Sequence, residues 1–322
     1  MKKEVNKPNI SIYATVYNNF SKVKESLNSI IKQFSDFSTS FEFVIVDNYS
    51  NDGTWEILQK FAKKYKNIKL IREHCSRGKG RAIAFNNTCG DYTFYVDLDT
   101  IYNNLLSKIV YKLFSMKFKG VLGNNIGFAN RKTILNIGGW NDLLASEDTE
   151  FFARAVFKLS KIYWIPVNLM QNEAYTKSFR ELRYTNLISL RTFRVILDTI
   201  RSDGMTLSMF RNKNIRLRTK ILYLLAFLYL KLFLKKIYKY SNTRNIDYIF
   251  EHIELLDPKI FDTTKFYWAF KFNYGENNKI LNILANKLIS FGFDEFLFGK
   301  NSIITYSKST NKDFIKPLMK RL

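Results

Sequence analysis

The chain has 322 residues, 46% hydrophobic and 16% aromatic, with only 13 Gly and 4 Pro, which excludes a disordered tail, a fibrous repeat and a lone small binding module. Lys and Arg number 51 against 28 Asp and Glu, a formal net charge of +23, so its partner or substrate should be anionic: nucleic acid, a membrane surface or a phosphorylated compound. Two cysteines, Cys75 and Cys89, are too few for a disulfide scaffold and fit a reducing cytoplasm, while two histidines leave carboxylates and the ligand itself to hold any metal, which favours magnesium or manganese.

Met1 to Asn9 is Lys-rich but lacks the apolar core and small-residue cleavage site of a signal peptide. From there to about residue 170, short β-type runs alternate with amphipathic helical patterns, the arrangement of a mostly parallel sheet covered by helices. Ile10 to Tyr17 predicts a strand, Val23 to Phe34 a helix, and Phe41 to Asp47 a second strand. Trp55 to Tyr65 then reads as a helix, Ile68 to Arg72 as a strand, Arg81 to Thr88 as a helix and Tyr92 to Val96 as a strand. Further elements follow through Gly120 to Ala129, Arg131 to Asn136 and Ser146 to Leu159.

The composition changes near Arg180. Residues 180–240 hold 14 Lys and Arg against 3 Asp and Glu, a net of +11, on a helical apolar pattern. Within them Ile221 to Leu234 is apolar except for Lys231, which is shorter than the roughly 20 residues a bilayer span needs. Two readings stay open: a helix lying in the membrane interface with cationic flanks, or a helix buried against its neighbours. Residues 241–322 carry helical patterns such as Ile280, Leu281, Ile283, Leu284, Leu288 and Ile289, and no assignable motif. The expected organisation is a catalytic domain over 1–175, a basic, apolar helical segment over 176–240 and a helical region over 241–322.

Asp97-Leu98-Asp99 follows the apolar strand Tyr92 to Val96 directly. Open α/β sheets bind ligands outside the carboxyl ends of their strands, so these carboxylates point at a crevice, where they can share one hard cation with a diphosphate and water. Asp47 to Thr54 ends another strand: Asp52, Gly53 and Thr54 suit a helix start, while Asp47 and Asn48 could reach the same crevice and accept a hydrogen bond from a nucleobase. Arg77-Gly78-Lys79-Gly80-Arg81 sets three cations and two small residues before a helix, either a basic loop or an anion site. Ser146 followed by Glu147-Asp148 could be no more than a capped helix start.

Taken in order, these pieces resemble the GT-A nucleotide-sugar-binding domain of family 2 glycosyltransferases over about Ile10 to Pro166. Thr15-Val16-Tyr17-Asn18 resembles the end of the family's first strand, Asp47 to Thr54 its VDDxSxDGT run, and Arg77 to Asn86 its Gly-rich segment. Asp97-Leu98-Asp99 matches its DxD, and Glu147-Asp148, after Gly138-Gly139-Trp140, its ED motif. The resemblance implies that Thr15, Tyr17 and Asn48 hold the nucleotide base, with Asn48 standing where an Asp is common. It further implies that Asp97 lies near ribose and metal, that Asp99 ligates Mg²⁺ or Mn²⁺, and that Asp148 is the catalytic base. Asp47, Arg77, Lys79 and Arg81 join them as donor-binding candidates. The family often adds a His metal ligand beyond the ED segment; Met170 to Phe179 contains none, and Glu173 is a substitute.

The implied function is a metal-dependent, inverting glycosyltransferase using a nucleotide-sugar donor and a glycan or lipid-linked acceptor, peripheral on the inner face of the cell membrane. A polyprenyl-phosphate acceptor on the same fold is the alternative, but a phosphate nucleophile needs no general base, which Glu147-Asp148 supplies. A nucleic-acid-binding protein is a distant third: charge and interleaved aromatics suggest it, and it explains none of the ordered acidic motifs.

Overall fold

The computed structural model describes residues 8–124, 126–167, 169, 190–204, 217–233, 236–261, 267–271, 286, 288–289, 295–299 and 302–306. Its centre is an eight-stranded mixed sheet in the order β3-β2-β1-β4-β6-β5-β7-β8. The strands are β1 (Ile10–Val16), β2 (Phe41–Asp47), β3 (Ile68–Arg72), β4 (Tyr92–Tyr95), β5 (Val121–Leu122), β6 (Phe128–Asn130), β7 (Ile162–Trp164) and β8 (Ile253–Leu255). Among these pairings β6 alone runs antiparallel to its neighbours β4 and β5.

Helices cover both faces, and the period-two alternation of the strands shows how. Ile10, Ile12, Ala14 and Val16 of β1 with Phe41, Phe43 and Ile45 of β2 enter one buried cluster, together with α1 (Phe20–Ile31), α3 (Thr54–Lys64) and α5 (Leu105–Ser115). Tyr13, Val44 and Val46 point to the other face and meet α4 (Arg77–Asn86), α6 (Arg131–Ile137) and α7 (Glu147–Leu159). The short α2 (Phe37–Ser40) leads into β2. A strand buried on both sides cannot afford a polar face, which is why β1 and β2 read as nearly continuous apolar runs.

Three further helices extend this body. Helix α8 (Leu190–Asp203) packs on α9 (Leu217–Leu232) through Ile196, Leu197 and Ile200 against Ala226, Phe227 and Leu230. Helix α10 (Asn245–Glu251) then leads into β8, so the sheet takes its last strand from beyond residue 240. Over 241–322, where a largely helical region is expected, the described residues hold both helix and strand. Besides α10, the 3-10 turn Pro258–Phe261 and the helical residues Asn286, Leu288 and Ile289, the described residues there form β8 and a separate antiparallel sheet, β9 (Tyr267–Lys271), β10 (Glu295–Gly299) and β11 (Ser302–Tyr306). Aromatic residues in Tyr267-Trp268-Ala269-Phe270 and β-branched ones in Ile303-Ile304-Thr305 favour strands.

Candidate active site

The loops after β1, β2 and β4 are laced together at the carboxyl end of the sheet. Asn18 N–H donates to Ser50 Oγ at 2.9 Å, Asn51 N–H to Asn18 Oδ1 at 3.0 Å, and Asn19 Nδ2 to the Leu98 carbonyl at 2.7 Å. Asp52 accepts from the Phe20 N–H at 3.0 Å and from the Thr54 hydroxyl at 2.6 Å, joining the starts of α1 and α3. Those hydrogen bonds hold its carboxyl below its ordinary pKa even though partial burial pushes the other way.

Between these loops lies an open cleft of about 440 Å³. Thr15, Tyr17 and Asn48 line one part of it, Arg77, Asp97 and Asp99 another, and Leu144 to Ser146 with α8 close it. Six of the sequence candidates thus share one cavity. Asn48 Oδ1 accepts the Cys75 N–H at 2.9 Å, which holds its side chain in place.

Four candidates sit elsewhere. Asp47 is fully buried: its carboxylate accepts from the Ser50 N–H at 3.0 Å and lies 3.4 Å from Arg72 Nε, so it shapes the loop and does not line the cleft. Lys79 is exposed and Asp148 half-buried, and neither lines the cavity; Asp148 lies two residues past its rim at Ser146. Arg81 is the largest departure. It is 3% exposed, with Nη2 2.9 Å from Asp97 and Nη1 2.9 Å from Glu147, and its guanidinium lies over the rings of Tyr95 and Trp140 at 4.2 and 4.9 Å. Both nitrogens are spent on carboxylates, so Arg81 fixes acidic groups where the sequence suggested a contact to phosphate.

The Gly-rich segment is corrected as well. Helix α4 begins at Arg77, four residues earlier than its apolar spacing indicates, because Ser76 Oγ caps it by accepting the Lys79 N–H at 3.0 Å. The Gly78 N–H donates to the Leu143 carbonyl at 2.9 Å and the Gly80 N–H to the Ser76 carbonyl at 2.9 Å, which leaves neither for an anion. A Cβ at Gly78 would stand 2.0 Å from the Asn141 carbonyl oxygen, and one at Gly80 2.4 Å from Thr15 Oγ1. The glycines permit protein to approach protein, not phosphate.

Helix α7 carries the acidic pair. Ser146 has φ 54° and makes no side-chain cap, so the acids are not there to serve a capping box. Burial raises the Glu147 pKa against the pull of Arg81 and of Arg77, 3.6 Å away, with Asp148 adding to the rise. Glu150 is held by Arg154 at 2.9 Å and by the Tyr240 hydroxyl at 2.5 Å. Arg154 also donates to the carbonyls of Ile137 and Gly139, tying α7 to the turn that ends at Trp140. That turn needs Gly138 at φ 103°, and it lets Trp140 Nε1 donate to the Tyr13 hydroxyl at 3.0 Å.

The donor chemistry suits a hard cation. Asp97 and Asp99 offer carboxylate oxygens from one loop, and among the described residues no group of three His, Cys, Asp or Glu could hold a metal alone. An oxygen-only pair of this kind fits Mg²⁺ or Mn²⁺ whose remaining positions come from diphosphate and water. Glu173 and the rest of Met170 to Phe179 lie outside the described residues. Sequence reasoning missed Val195 and Thr199 of α8, whose only signal was an apolar helical face in the basic segment.

Residues 11–136 match the family described as "Glycosyl transferase family 2". The chain is 26% identical over 216 residues, 62% of its length, to the poly(ribitol-phosphate) beta-N-acetylglucosaminyltransferase TarS of Staphylococcus aureus. It is 36% identical over 93 residues, 28% of its length, to the poly(ribitol-phosphate) beta-glucosyltransferase of Bacillus spizizenii. These matches span 36% and 14% of the relatives' own lengths, so the chain covers well under two thirds of either. A crystal structure of S. aureus TarS 1-349 with UDP-GlcNAc shares 19% identity, covering 70% of this chain and 76% of that one, with a TM-score of 0.43. The family match spans the strand ends and the DxD loop that build most of the cleft, so residues 11–136 of the mixed α/β sheet are similar to glycosyl transferase family 2.

Proposed function

We propose that this chain is an inverting, metal-dependent glycosyltransferase that moves a sugar from a nucleotide-diphosphate donor to a hydroxyl of a glycan or lipid-linked acceptor at the cytoplasmic membrane face. The observation that carries this reading is one cleft, at the carboxyl ends of β1, β2 and β4, lined by Thr15, Asn48, Asp97 and Asp99 and bounded by Ser146, where the Glu147-Asp148 pair begins. Asp97 and Asp99 would hold Mg²⁺ or Mn²⁺, which when bound neutralises charge on the diphosphate leaving group. Arg77, on the rim of the cleft, adds positive charge to the same end, and Lys79 steers the donor from the surface. Thr15, Tyr17 and Asn48 orient the nucleotide.

Asp148 takes the proton of the acceptor hydroxyl as that oxygen bonds to the anomeric carbon and the bond to diphosphate breaks. One displacement of this kind inverts the anomeric centre. Glu147 is a poorer base, since it is buried and committed to Arg81. The relatives are named for poly(ribitol-phosphate), a polyanion, and a chain of +23 suits an acceptor of that charge.

For membrane contact the support lies on α9. Its buried side meets α8, while Ile221, Leu224, Leu225, Leu228 and Leu232 form an exposed apolar row at helical spacing, with Lys231 and Lys236 nearby. Among the described residues no helix is long and apolar enough to cross a membrane. The test of the activity is a donor screen with Mn²⁺ or Mg²⁺ that reads released nucleoside diphosphate. Release from none of the sugar nucleotides, with or without anionic acceptors, would refute the reading.

A further inference from the structure

Helix α8 lies outside residues 11–136, yet it walls the cleft. Val195 and Thr199 line the cavity, and Asp198, on the same face of the helix, is buried beside them. Asp198 Oδ2 accepts the Leu144 N–H at 2.8 Å, while Oδ1 pairs with Arg201 Nη1 at 2.8 Å. Arg201 in turn donates from Nε to the Lys236 carbonyl at 3.1 Å. Leu144, Ala145 and Ser146 all line the cleft, and the next two residues are Glu147 and Asp148. Because Ser146 takes a left-handed backbone without a side-chain cap, this loop lacks the usual local anchor at a helix start. Helix α4 holds its first residue, through the Gly78 N–H on the Leu143 carbonyl, and α8 holds the next.

We propose that Asp198 is a positioning residue for sugar transfer: its charge-assisted bond to the Leu144 N–H fixes residues 144–146 and so sets where Asp148 stands relative to the donor. This rests on the glycosyltransferase reading above. A carboxylate bound to a backbone N–H makes one of the stronger kinds of hydrogen bond, and here it spans 54 residues of sequence. Loosening it lets the loop relax while the base and metal subsites, built by β1, β2 and β4, stay intact.

The test uses the full chain with Asp198→Ala and Asp198→Asn. Asn keeps an acceptor for Leu144 and loses the charge opposite Arg201. Asp198→Ala should lower kcat roughly 10- to 100-fold, the scale expected of a misplaced catalytic group, with unchanged binding of UDP, CDP and GDP in Mn²⁺. Asp198→Asn should restore most of kcat. If Asp198→Ala leaves kcat unchanged, or if Asn falls as far as Ala, the proposal is overturned. Hydrogen exchange at the Leu144 amide needs no activity: protection in the wild type is required, and rapid exchange there overturns the proposal even if Asp198→Ala fails to fold. A wild type inactive with every donor would refute the transferase reading instead, and the exchange result would still report on the tether.

Discussion

Arg81 and Glu147 meet at 2.9 Å in the interior, both almost fully shielded from water. The same guanidinium reaches Asp97 at 2.9 Å, so one cation joins the DxD loop after β4 to the acidic pair that opens α7. Removing one partner of a buried ion pair leaves the other charge poorly compensated.

Arg81→Met should therefore cost about 3–5 kcal/mol of stability, and the loss should depend on pH. Burial already raises the Glu147 pKa in the folded protein, and losing Arg81 raises it further. A raised folded pKa gives stability that is present while the carboxyl is protonated and is lost as pH climbs from the ordinary carboxylate range through the raised value. Urea unfolding across mildly acidic to neutral pH should show the variant weakening relative to wild type as pH rises; a constant gap would refute the assignment. Adding Glu147→Gln should flatten the profile.

Asp99→Ala should abolish transfer without moving the thermal midpoint, since Asp99 belongs to the cleft and not to the buried clusters. EDTA should reproduce the effect on wild type, and Mn²⁺ or Mg²⁺ should reverse it. Full transfer in chelator would remove the metal from the reaction.

Asp148→Asn should lower turnover by roughly 10²–10⁴-fold with little change in donor binding, the usual contribution of a positioned base. Unchanged turnover would place the base elsewhere or favour a phosphate acceptor, which needs none.

On α9, Leu228 and Leu232 are 43% and 75% exposed, whereas Leu230 is 2% exposed. Leu228→Glu with Leu232→Glu should abolish binding to anionic vesicles and keep the fold, while Leu230→Glu should disrupt the packing on α8. Each basic residue near the lipid surface adds about 1 kcal/mol, so salt should weaken the binding. Wild-type protein that ignores anionic vesicles at low salt would end the membrane proposal.

Much of the site was legible because its residues are local to strand ends. Strands β1 and β4 end within one residue of their predicted limits and β2 matches them, since an apolar run stopped by Asp or Asn is unambiguous. Arg81 was not legible in the same way. Its burial depends on Tyr95 and Trp140, 14 and 59 residues away in sequence, and among five basic or glycine residues it looks like one more surface cation. Gly78 and Gly80 suggested a loop because close approach by residues 141–143 and Thr15 leaves no local trace. Asp198 had no signal beyond being one of three acids in a strongly basic stretch.

The pairing of β7 with β8 bears on how the protein is made. The proposed base, Asp148, and the metal-holding pair Asp97 and Asp99 are encoded before residue 150, but the sheet carrying them is finished only by residues 253–255. Until the ribosome has released that stretch, β7 is an open edge bearing Ile162, Tyr163 and Trp164. Helices α8 and α9, made in the interval, can settle on the nascent body first, so the cleft gains its wall before the sheet gains its border. A chain cut near residue 175 would keep every motif and still present a sticky edge, and its fate would be aggregation before catalysis.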